Sequence, residues 1–294
     1  MTDITRTDPG SPSYQCATRW PILLVHGVAS RRAERFAYWG RIPETLEQYG
    51  ARVYVSTQDA WGRYESNAKQ LRAEILQILK TEHVEKVNLI AHSKGGLDSR
   101  VLATLPDMHN RIASISTLSS PHLGIKSLNW IALTPELVKR VMTTPLDVFF
   151  ILSGDSNPAF LYVLDDLSER TMQEFNEHYP LPDDVYFQSF SAIKRKISDS
   201  GAFALSSSIL QVVEGDNDGV VPAWSSDFGN YQGVLNAEGE MGLSHIEITN
   251  RSFIVFLALL FGIPYDRQDS ISRDGFDVLA WWVEMVAELK QMGF

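Results

Sequence analysis

The stretch VNLIAHSKGGL, residues 87–97, decides how this chain folds. Its first four residues form a short apolar run that predicts a buried strand, and its last residue begins a segment that predicts a helix. Ala91 and Gly95, two positions either side of Ser93, are small enough to allow a tight, strained turn between the two elements. This A-x-S-x-G pattern predicts a nucleophile elbow, which exposes the serine hydroxyl. An ordinary serine in a strand-to-helix turn is the alternative.

The composition is that of a globular protein. The 294 residues, 44% of them apolar, suffice for one large α/β domain or two small ones. The net charge is −10 and the pI about 5.2, so no basic excess is available to neutralise nucleic-acid phosphates or anionic lipid headgroups. We therefore expect no nucleic-acid partner and no electrostatic attachment to a membrane.

The N-terminal stretch, residues 1–18, is polar and contains two prolines, which predicts a flexible arm. The sole cysteine, Cys16, can form neither an intramolecular disulfide nor a zinc cluster. The first ten residues lack the apolar segment of a signal peptide, and no apolar run reaches the roughly 20 residues that span a bilayer. These features predict a cytoplasmic protein without a transmembrane segment. A non-classical secretion route and transient contact with a lipid interface stay open.

Residues 19–294 alternate between strand and helix patterns. This alternation predicts a single α/β domain with a mostly parallel central sheet flanked by helices. The runs that predict strands are residues 21–25, 52–55, 87–90, 112–118, 185–190 and 211–213. Helices are expected to begin at Ile42, at Ser66 and after the elbow, and a last helix is expected over residues 276–292.

The alternation stops over residues 126–182, where no apolar run predicts a strand. The segment instead contains helical pieces rich in large apolar side chains, and Thr134-Pro135-Glu136 is typical of a helix start. We interpret the segment as a helical insertion that forms a lid or cap over the end of the sheet. Additional core helices are the alternative.

A serine hydroxyl is a weak nucleophile at neutral pH and needs a histidine base, which in turn needs a carboxylate to orient it. After a nucleophile elbow the expected chain order is serine, acid, histidine. Of the seven histidines, His245 follows an acidic turn late in the chain and is the predicted base. His26 and His92 are expected to make local hydrogen bonds, and His83, His109 and His178 to face solvent. His122 precedes any suitable acid in the chain, which is the wrong order for the base.

Two carboxylates, Asp216 and Asp218, compete for the role of acid. Asp218 is favoured because the glycine after it permits a sharp turn, whereas Asp216 is expected at the surface. An oxyanion hole also needs two backbone N–H groups directed at the developing negative oxygen. The predicted donors are Lys94, at the start of the elbow helix, and Val28, after the first strand.

Six parts of the chain, residues 22–27, 38–54, 91–97, 117–124, 217–221 and His245, resemble the bacterial triacylglycerol lipases of the α/β-hydrolase fold. That family includes the Pseudomonas, Burkholderia and Proteus lipases. The resemblance implies that Ser93, Asp218 and His245 form a catalytic triad and that the N–H groups of Val28 and Lys94 form the oxyanion hole. It also implies that the helical insertion is a lid over an acyl pocket.

Calcium is a point at which this chain departs from that family. Many members bind a structural Ca²⁺ through an acidic residue two positions after the histidine and a glutamine six positions after it. Glu247 stands at the first position, but Arg251 stands at the second, and a cation disfavours a site built from oxygen ligands. We therefore predict no calcium, no other metal and no cofactor, with an Arg251–Glu247 salt bridge bracing the loop instead.

The function predicted from the sequence is that of a serine carboxylic ester hydrolase, a lipase or esterase that acts through an acyl-enzyme. Its expected partner is a small-molecule ester or lipid. Hydrolysis of polyesters or phospholipids, or acyl transfer to another alcohol, is the alternative within the enzyme class. A non-catalytic ligand-binding protein of the same fold is the alternative from another class. The acyl-chain length and the oligomeric state stay open.

Overall fold

Strands and helices alternate along the chain. The structure, a computed structural model, describes residues 14–28, 38–129, 160–195, 210–252 and 271–294. The α-helices that lie wholly within these ranges are α1 (Ile42–Gln48), α2 (Tyr64–Glu82), α3 (Lys94–Ala103), α4 (Phe160–Asp166), α5 (Glu169–His178) and α6 (Val278–Gln291). The strands are β1 (Ile22–Val25), β2 (Val53–Val55), β3 (Val87–His92), β4 (Ile112–Leu118), β5 (Tyr186–Ala192), β6 (Tyr231–Leu235), β7 (Ser272–Arg273) and β8 (Phe276–Asp277).

Strands β1–β6 form one sheet in the order β2-β1-β3-β4-β5-β6, and every neighbouring pair is parallel. In register, Leu23 of β1 lies between Tyr54 of β2 and Leu89 of β3. The predicted α/β class with a mostly parallel sheet is confirmed. Because parallel strands end at the same edge, the loops that follow β1, β3, β4 and β5 meet along one side of the molecule.

Apolar side chains cover the sheet on both faces. Strands β3 and β4 are buried over their whole length, as expected for a parallel sheet flanked by helices. Alternate residues of a strand point to opposite faces. Leu23 and Leu89 thus pack in the cluster that includes α2 and α3, whereas Ile22 and Ile90 pack in the cluster that includes α1 and α6. Trp282 of α6 is fully buried in that second cluster.

The strand predicted at residues 211–213 is wrong. Residues 210–213 are helical, and the N–H of Glu214 donates to the carbonyl of Leu210 at 2.6 Å. Val212 and Val213 are 87% and 54% exposed. β-Propensity reflects side-chain packing on a half-buried sheet, and these exposed side chains have no such packing. The place beside β5 is taken by β6, an edge strand with mostly half-buried residues that the sequence pattern did not reveal.

The described part of the predicted insertion packs into the core. Val163 of α4 and Met172 and Phe175 of α5 belong to the buried cluster on one face of the sheet. This packing agrees with the alternative of additional core helices for residues 160–178. The helix start expected at residues 134–136 lies outside the described residues, and a lid within residues 126–182 stays a prediction.

The end of the predicted N-terminal arm is anchored to the domain. Cys16 is fully buried, its N–H donates to the carbonyl of Tyr49 at 2.9 Å, and burial raises the pKa of its thiol to about 11. The domain thus holds the arm at Cys16, whereas residues 1–13 lie outside the described part, and the flexible arm over residues 1–18 stays a prediction. Within the described ranges, no helix combines the length and apolarity needed to cross a membrane.

Candidate active site

The elbow holds Ser93 between β3 and α3, at the carboxyl edge of the sheet. Its backbone has φ 56° and ψ −132°, a conformation that costs a non-glycine residue roughly 1–3 kcal/mol. The N–H of Ser93 donates to the carbonyl of Leu118 at 2.9 Å, which ties the turn to β4. A Cβ built on Gly95 would lie 2.6 Å from the carbonyl oxygens of Val25 and His26. The turn therefore requires glycine two residues after the serine, as the sequence pattern predicts.

Asp218 and His245 form a buried hydrogen-bonded pair. Asp218 Oδ2 lies 2.7 Å from His245 Nδ1, and the two residues are 0% and 7% exposed. The other carboxylate oxygen accepts from the N–H groups of Val220 and Val221 at 3.0 and 2.7 Å. The N–H of His245 also donates to the carbonyl of Asp218 at 2.9 Å. One carboxylate oxygen is thus fixed by the backbone, and the other is directed at the imidazole, which favours the tautomer with a proton on Nδ1.

The competing acid, Asp216, lies at the surface. It is exposed, and its carbonyl accepts from the N–H of Ala223 at 2.8 Å, which closes the loop. Of the two carboxylates, Asp218 is the one that the structure brings to His245.

The segment after β5 joins the loop of the acid to the loop of the histidine. The N–H of Lys194 donates to the carbonyl of Asn217 at 2.8 Å, and the N–H of Leu243 donates to the carbonyl of Ile193 at 2.9 Å. Because both loops are hydrogen-bonded to one short segment, their relative position depends on β5 rather than on either loop alone.

The ring of His245 lies against the ring of His92, the residue immediately before Ser93. The ring centroids are 4.4 Å apart, so the predicted base reaches the elbow. Burial lowers the pKa of His92 well below its ordinary value, and the neighbouring His245 lowers it further. His92 is therefore neutral near pH 7 and presents no charge to a protonated His245.

The two predicted oxyanion donors, Lys94 and Val28, belong to the two segments that flank Ser93. Lys94 is the first residue of α3, so its N–H has no acceptor within the helix. On the other side, a Cβ built on Gly27 would lie 2.7 Å from Cβ of Ser93, an approach that excludes any larger residue. Val28 follows directly, so the loop that carries its N–H passes beside the elbow.

The side chain of Lys94, for which the sequence pattern predicts no role, is held in a buried ion pair. Its Nζ lies 2.8 and 3.1 Å from the two carboxylate oxygens of Asp98, and both side chains are at most 2% exposed. Asp98 also accepts from Asn67 of α2 at 2.8 Å, and burial raises its pKa despite the cation. The pair holds the first turn of α3 against α2. This ion pair could be predicted from the sequence, because Lys94 and Asp98 stand four residues apart on one helix.

An ion-pair cluster braces the loop that carries the predicted base. Glu247 accepts from the N–H of Ser244 at 2.8 Å and lies 3.3 Å from Lys194 Nζ and 2.6 Å from Arg273 Nη2. Burial alone would raise the pKa of Glu247, but these three partners outweigh it and the pKa is lowered. In the described part of the chain, the predicted Arg251 partner is replaced by Lys194 and Arg273. Both come from segments distant in sequence, and no local spacing reveals their approach.

Calcium is expected to leave the melting temperature of the protein unchanged, and so is EDTA. Ca²⁺ needs about six to eight oxygen ligands, whereas the oxygens of Glu247 already face two cations and a backbone N–H. Across the described ranges, no three His, Cys, Asp or Glu side chains are grouped to hold a metal ion. Calorimetry with and without Ca²⁺ measures this. A melting temperature that rises with Ca²⁺ and falls again with EDTA would contradict the prediction.

The other histidines lie where the sequence assigned them. Three are exposed: His83, His109 and His178. His26 Nδ1 lies 2.8 Å from the carbonyl oxygen of Gly27, and His122 Nε2 lies 3.0 Å from the hydroxyl of Thr117. Among the described histidines, His245 is the one paired with a carboxylate.

Comparisons with known proteins relate the chain to lipases and esterases. Residues 21–154 match the family model described as palmitoyl protein thioesterase. A triacylglycerol lipase of Pseudarthrobacter phenanthrenivorans is 40% identical over 116 residues, which cover 37% of this chain and 35% of that protein. A triacylglycerol lipase of Pseudomonas fragi is 28% identical over 267 residues, covering 79% of this chain and 88% of that protein. The solved structure of a metagenomic carboxyl esterase is similar with a TM-score of 0.64 and 17% identity, covering 97% of this chain and 79% of that one.

The extent of these matches differs along the chain. The family match includes the loop after β1 and the elbow, whereas the loops that carry Asp218 and His245 lie beyond it. The chain spans about a third of the length of the first curated relatives that it matches.

Proposed function

We propose that this chain, an α/β-hydrolase-fold relative of the bacterial triacylglycerol lipases, is a serine carboxylic ester hydrolase. This relationship rests on the likeness to the solved esterase structure and on the two aligned lipases. The resemblance inferred from the sequence motifs is thereby confirmed. The activity itself is proposed from the site.

The observation that carries the proposal is the buried Asp218–His245 hydrogen bond beside a serine on a strained elbow. A carboxylate that fixes the Nδ1–H tautomer leaves the Nε2 lone pair of the imidazole free to accept a proton. A core histidine paired with a carboxylate occurs without catalysis elsewhere. Here, His245 lies at the carboxyl edge of a parallel sheet and against His92, the residue before Ser93, and this position favours a catalytic role.

In the proposed mechanism, Ser93 Oγ attacks the ester carbonyl carbon while His245 Nε2 accepts the hydroxyl proton. The N–H groups of Val28 and Lys94 stabilise the oxyanion of the tetrahedral intermediate. His245 then donates its proton to the leaving alcohol, which yields the acyl-enzyme. Water attacks the acyl-enzyme by the same route, which releases the acid and restores Ser93. Asp218 orients His245 and stabilises the imidazolium.

The proposed substrate is a small-molecule ester or a lipid, and transient contact with a lipid interface belongs to this proposal. The curated relatives named triacylglycerol lipase support an oxygen ester. The match to a model described as palmitoyl protein thioesterase makes an acyl thioester the specific second candidate, because the same acyl-enzyme forms from either. Phospholipids, polyesters and acyl transfer to another alcohol are the remaining alternatives.

A panel of substrates tests the proposal. It contains p-nitrophenyl esters of increasing acyl length, a triacylglycerol emulsion, a phospholipid and an acyl thioester, each with and without added methanol. We expect hydrolysis of the carboxylic esters at a rate well above that of Ser93→Ala, the matched background. Faster turnover of the thioester would assign the second candidate, and methyl ester formation would assign acyl transfer. No turnover above the Ser93→Ala background with any substrate would contradict the proposal and favour a ligand-binding protein.

The cytoplasmic location expected from the sequence is likewise a proposal. Immunoblotting of fractionated cells that express the protein at its natural level tests it. Recovery of the protein in the culture medium, without a cytoplasmic marker enzyme, would contradict it.

A further inference from the structure

The hydroxyl of Tyr38 lies between the loop after β1 and the residue before Ser93. It accepts a hydrogen bond from the N–H of Gly27 at 3.0 Å and lies 2.6 Å from Nδ1 of His92. Gly27 and His92 are 65 residues apart in the sequence, so this hydroxyl is a link between two segments that no local interaction joins. Each of the two segments leads directly into part of the site.

The direction of the second hydrogen bond depends on the tautomer of His92. A hydroxyl has one proton and two lone pairs, so while it accepts from Gly27 it can either donate to Nδ1 of His92 or accept from an Nδ1–H. Burial raises the pKa of Tyr38 and lowers the pKa of His92, so the phenol stays protonated and the imidazole neutral. In either direction, the hydroxyl bridges the N–H of Gly27 and Nδ1 of His92.

The ring of Tyr38 is fixed by its neighbours. Trp39 packs edge-on against it, with ring centroids 5.1 Å apart, and Trp39 in turn packs edge-on against Trp282 of α6 at 5.7 Å. Trp39 and Trp282 are fully buried. These buried aromatic contacts fix the position of the Tyr38 ring and therefore of its hydroxyl. A residue that positions other groups must itself be held rigidly.

The link touches both halves of the site. Gly27 packs against Cβ of Ser93 and precedes Val28, the proposed oxyanion donor. His92 precedes Ser93 and lies under the ring of His245, with centroids 4.4 Å apart.

We infer that Tyr38 is a positioning residue, whose hydroxyl holds the oxyanion loop and the elbow at a fixed separation through Gly27 and His92. The inference deepens the proposed function and rests on it. Tyr38 acts through backbone and imidazole rather than on the reacting atoms. Its loss should therefore weaken binding of the transition state while leaving binding of the ground-state ester largely unchanged, since a small misplacement of an oxyanion donor affects mainly the step at which charge develops.

Tyr38→Phe tests the inference, with Tyr231→Phe as its matched control. Tyr231 also places its hydroxyl in a hydrogen bond, to Ser191 at 2.5 Å, but on the edge strand β6. We expect Tyr38→Phe to lower kcat for a p-nitrophenyl ester by about 10- to 100-fold with KM within about twofold of the wild type. Tyr231→Phe should change neither constant. An equal fall in kcat for both variants, or a rise in KM alone for Tyr38→Phe, would overturn the inference.

Two substitutions of His92 separate positioning from packing. Asn and Leu are similar in shape, but only Asn offers an acceptor near the position of Nδ1. We expect His92→Asn to retain more activity than His92→Leu. Adding Tyr38→Phe should lower kcat further in both backgrounds but less in the His92→Leu background, where only the hydrogen bond to Gly27 is left to lose. Equal additional losses in the two backgrounds would overturn the link.

A labelling experiment keeps the inference and the proposed function distinguishable. A fluorophosphonate reacts with an activated serine, whose oxygen displaces fluoride from phosphorus. If the wild type is labelled at Ser93 and Tyr38→Phe has unchanged kcat, the inference alone fails. If the wild type is not labelled, the proposed function fails and the inference fails with it.

Discussion

Replacing Ser93 with alanine is expected to abolish hydrolysis of p-nitrophenyl esters, with kcat falling by about 10⁶-fold. The fall is large because no acyl-enzyme forms without the hydroxyl, whatever the state of Asp218 and His245. Residual hydrolysis, if measurable, would come from the oxyanion donors and substrate binding, and should follow general-base attack by water. Steady-state release of p-nitrophenol, with protein freed of host esterases, measures the loss.

The Ser93→Ala protein is expected to keep its fold. Alanine retains the Cβ that already sits in the strained backbone at φ 56°, so the strain is unchanged, and the N–H bond to Leu118 is unaffected. The far-ultraviolet circular dichroism spectrum should therefore match that of the wild type. A folded Ser93→Ala protein that hydrolyses esters at the wild-type rate would contradict the assignment of the nucleophile.

Replacing Asp218 with asparagine is expected to lower kcat by about 10⁴-fold. The reason lies in the two oxygens of the carboxylate. One accepts from the N–H groups of Val220 and Val221, so the amide oxygen of asparagine would take that place and its NH₂ would face His245. His245 Nδ1 must then accept, the imidazole proton moves to Nε2, and the base has no lone pair to offer the serine. Steady-state kinetics across pH 6–9 measures the effect.

Asp216→Asn is the matched control for this substitution. Asp216 stands two residues earlier in the same loop but is exposed and does not reach His245. The same chemical change there should leave kcat and KM within about twofold of the wild type. A larger loss for Asp216→Asn than for Asp218→Asn would reverse the assignment of the acid.

The strands at the centre of the sheet could be predicted from the sequence because burial on both faces makes their apolar runs continuous. β3 and β4 are buried throughout, and their positions and the elbow between β3 and α3 follow from local pattern alone. At the edge of the sheet this signal weakens. β6 has mostly half-buried residues and was missed, while the exposed pair Val212 and Val213 has strand propensity without a strand.

Some residues of the candidate site could likewise be predicted from the sequence, and others could not. Ser93, Asp218 and His245 could be proposed from residue type and chain order. The groups that hold them could not, because their partners are remote in sequence. Lys194 meets Glu247 across 53 positions and Tyr38 meets His92 across 54. Such contacts depend on how the strands assemble, which no local pattern specifies.

Peptide mapping after fluorophosphonate labelling tests whether Ser93 is the nucleophile that Asp218 and His245 activate. We predict one adduct per chain, located on the peptide that contains Ser93, absent in Ser93→Ala, and formed far more slowly in Asp218→Asn than in Asp216→Asn. Labelling of a denatured sample should be absent, since the reactivity requires the folded pair of Asp218 and His245. A native protein that gives no adduct, or that is labelled on a residue other than Ser93, would contradict the assignment of Ser93 as the activated nucleophile.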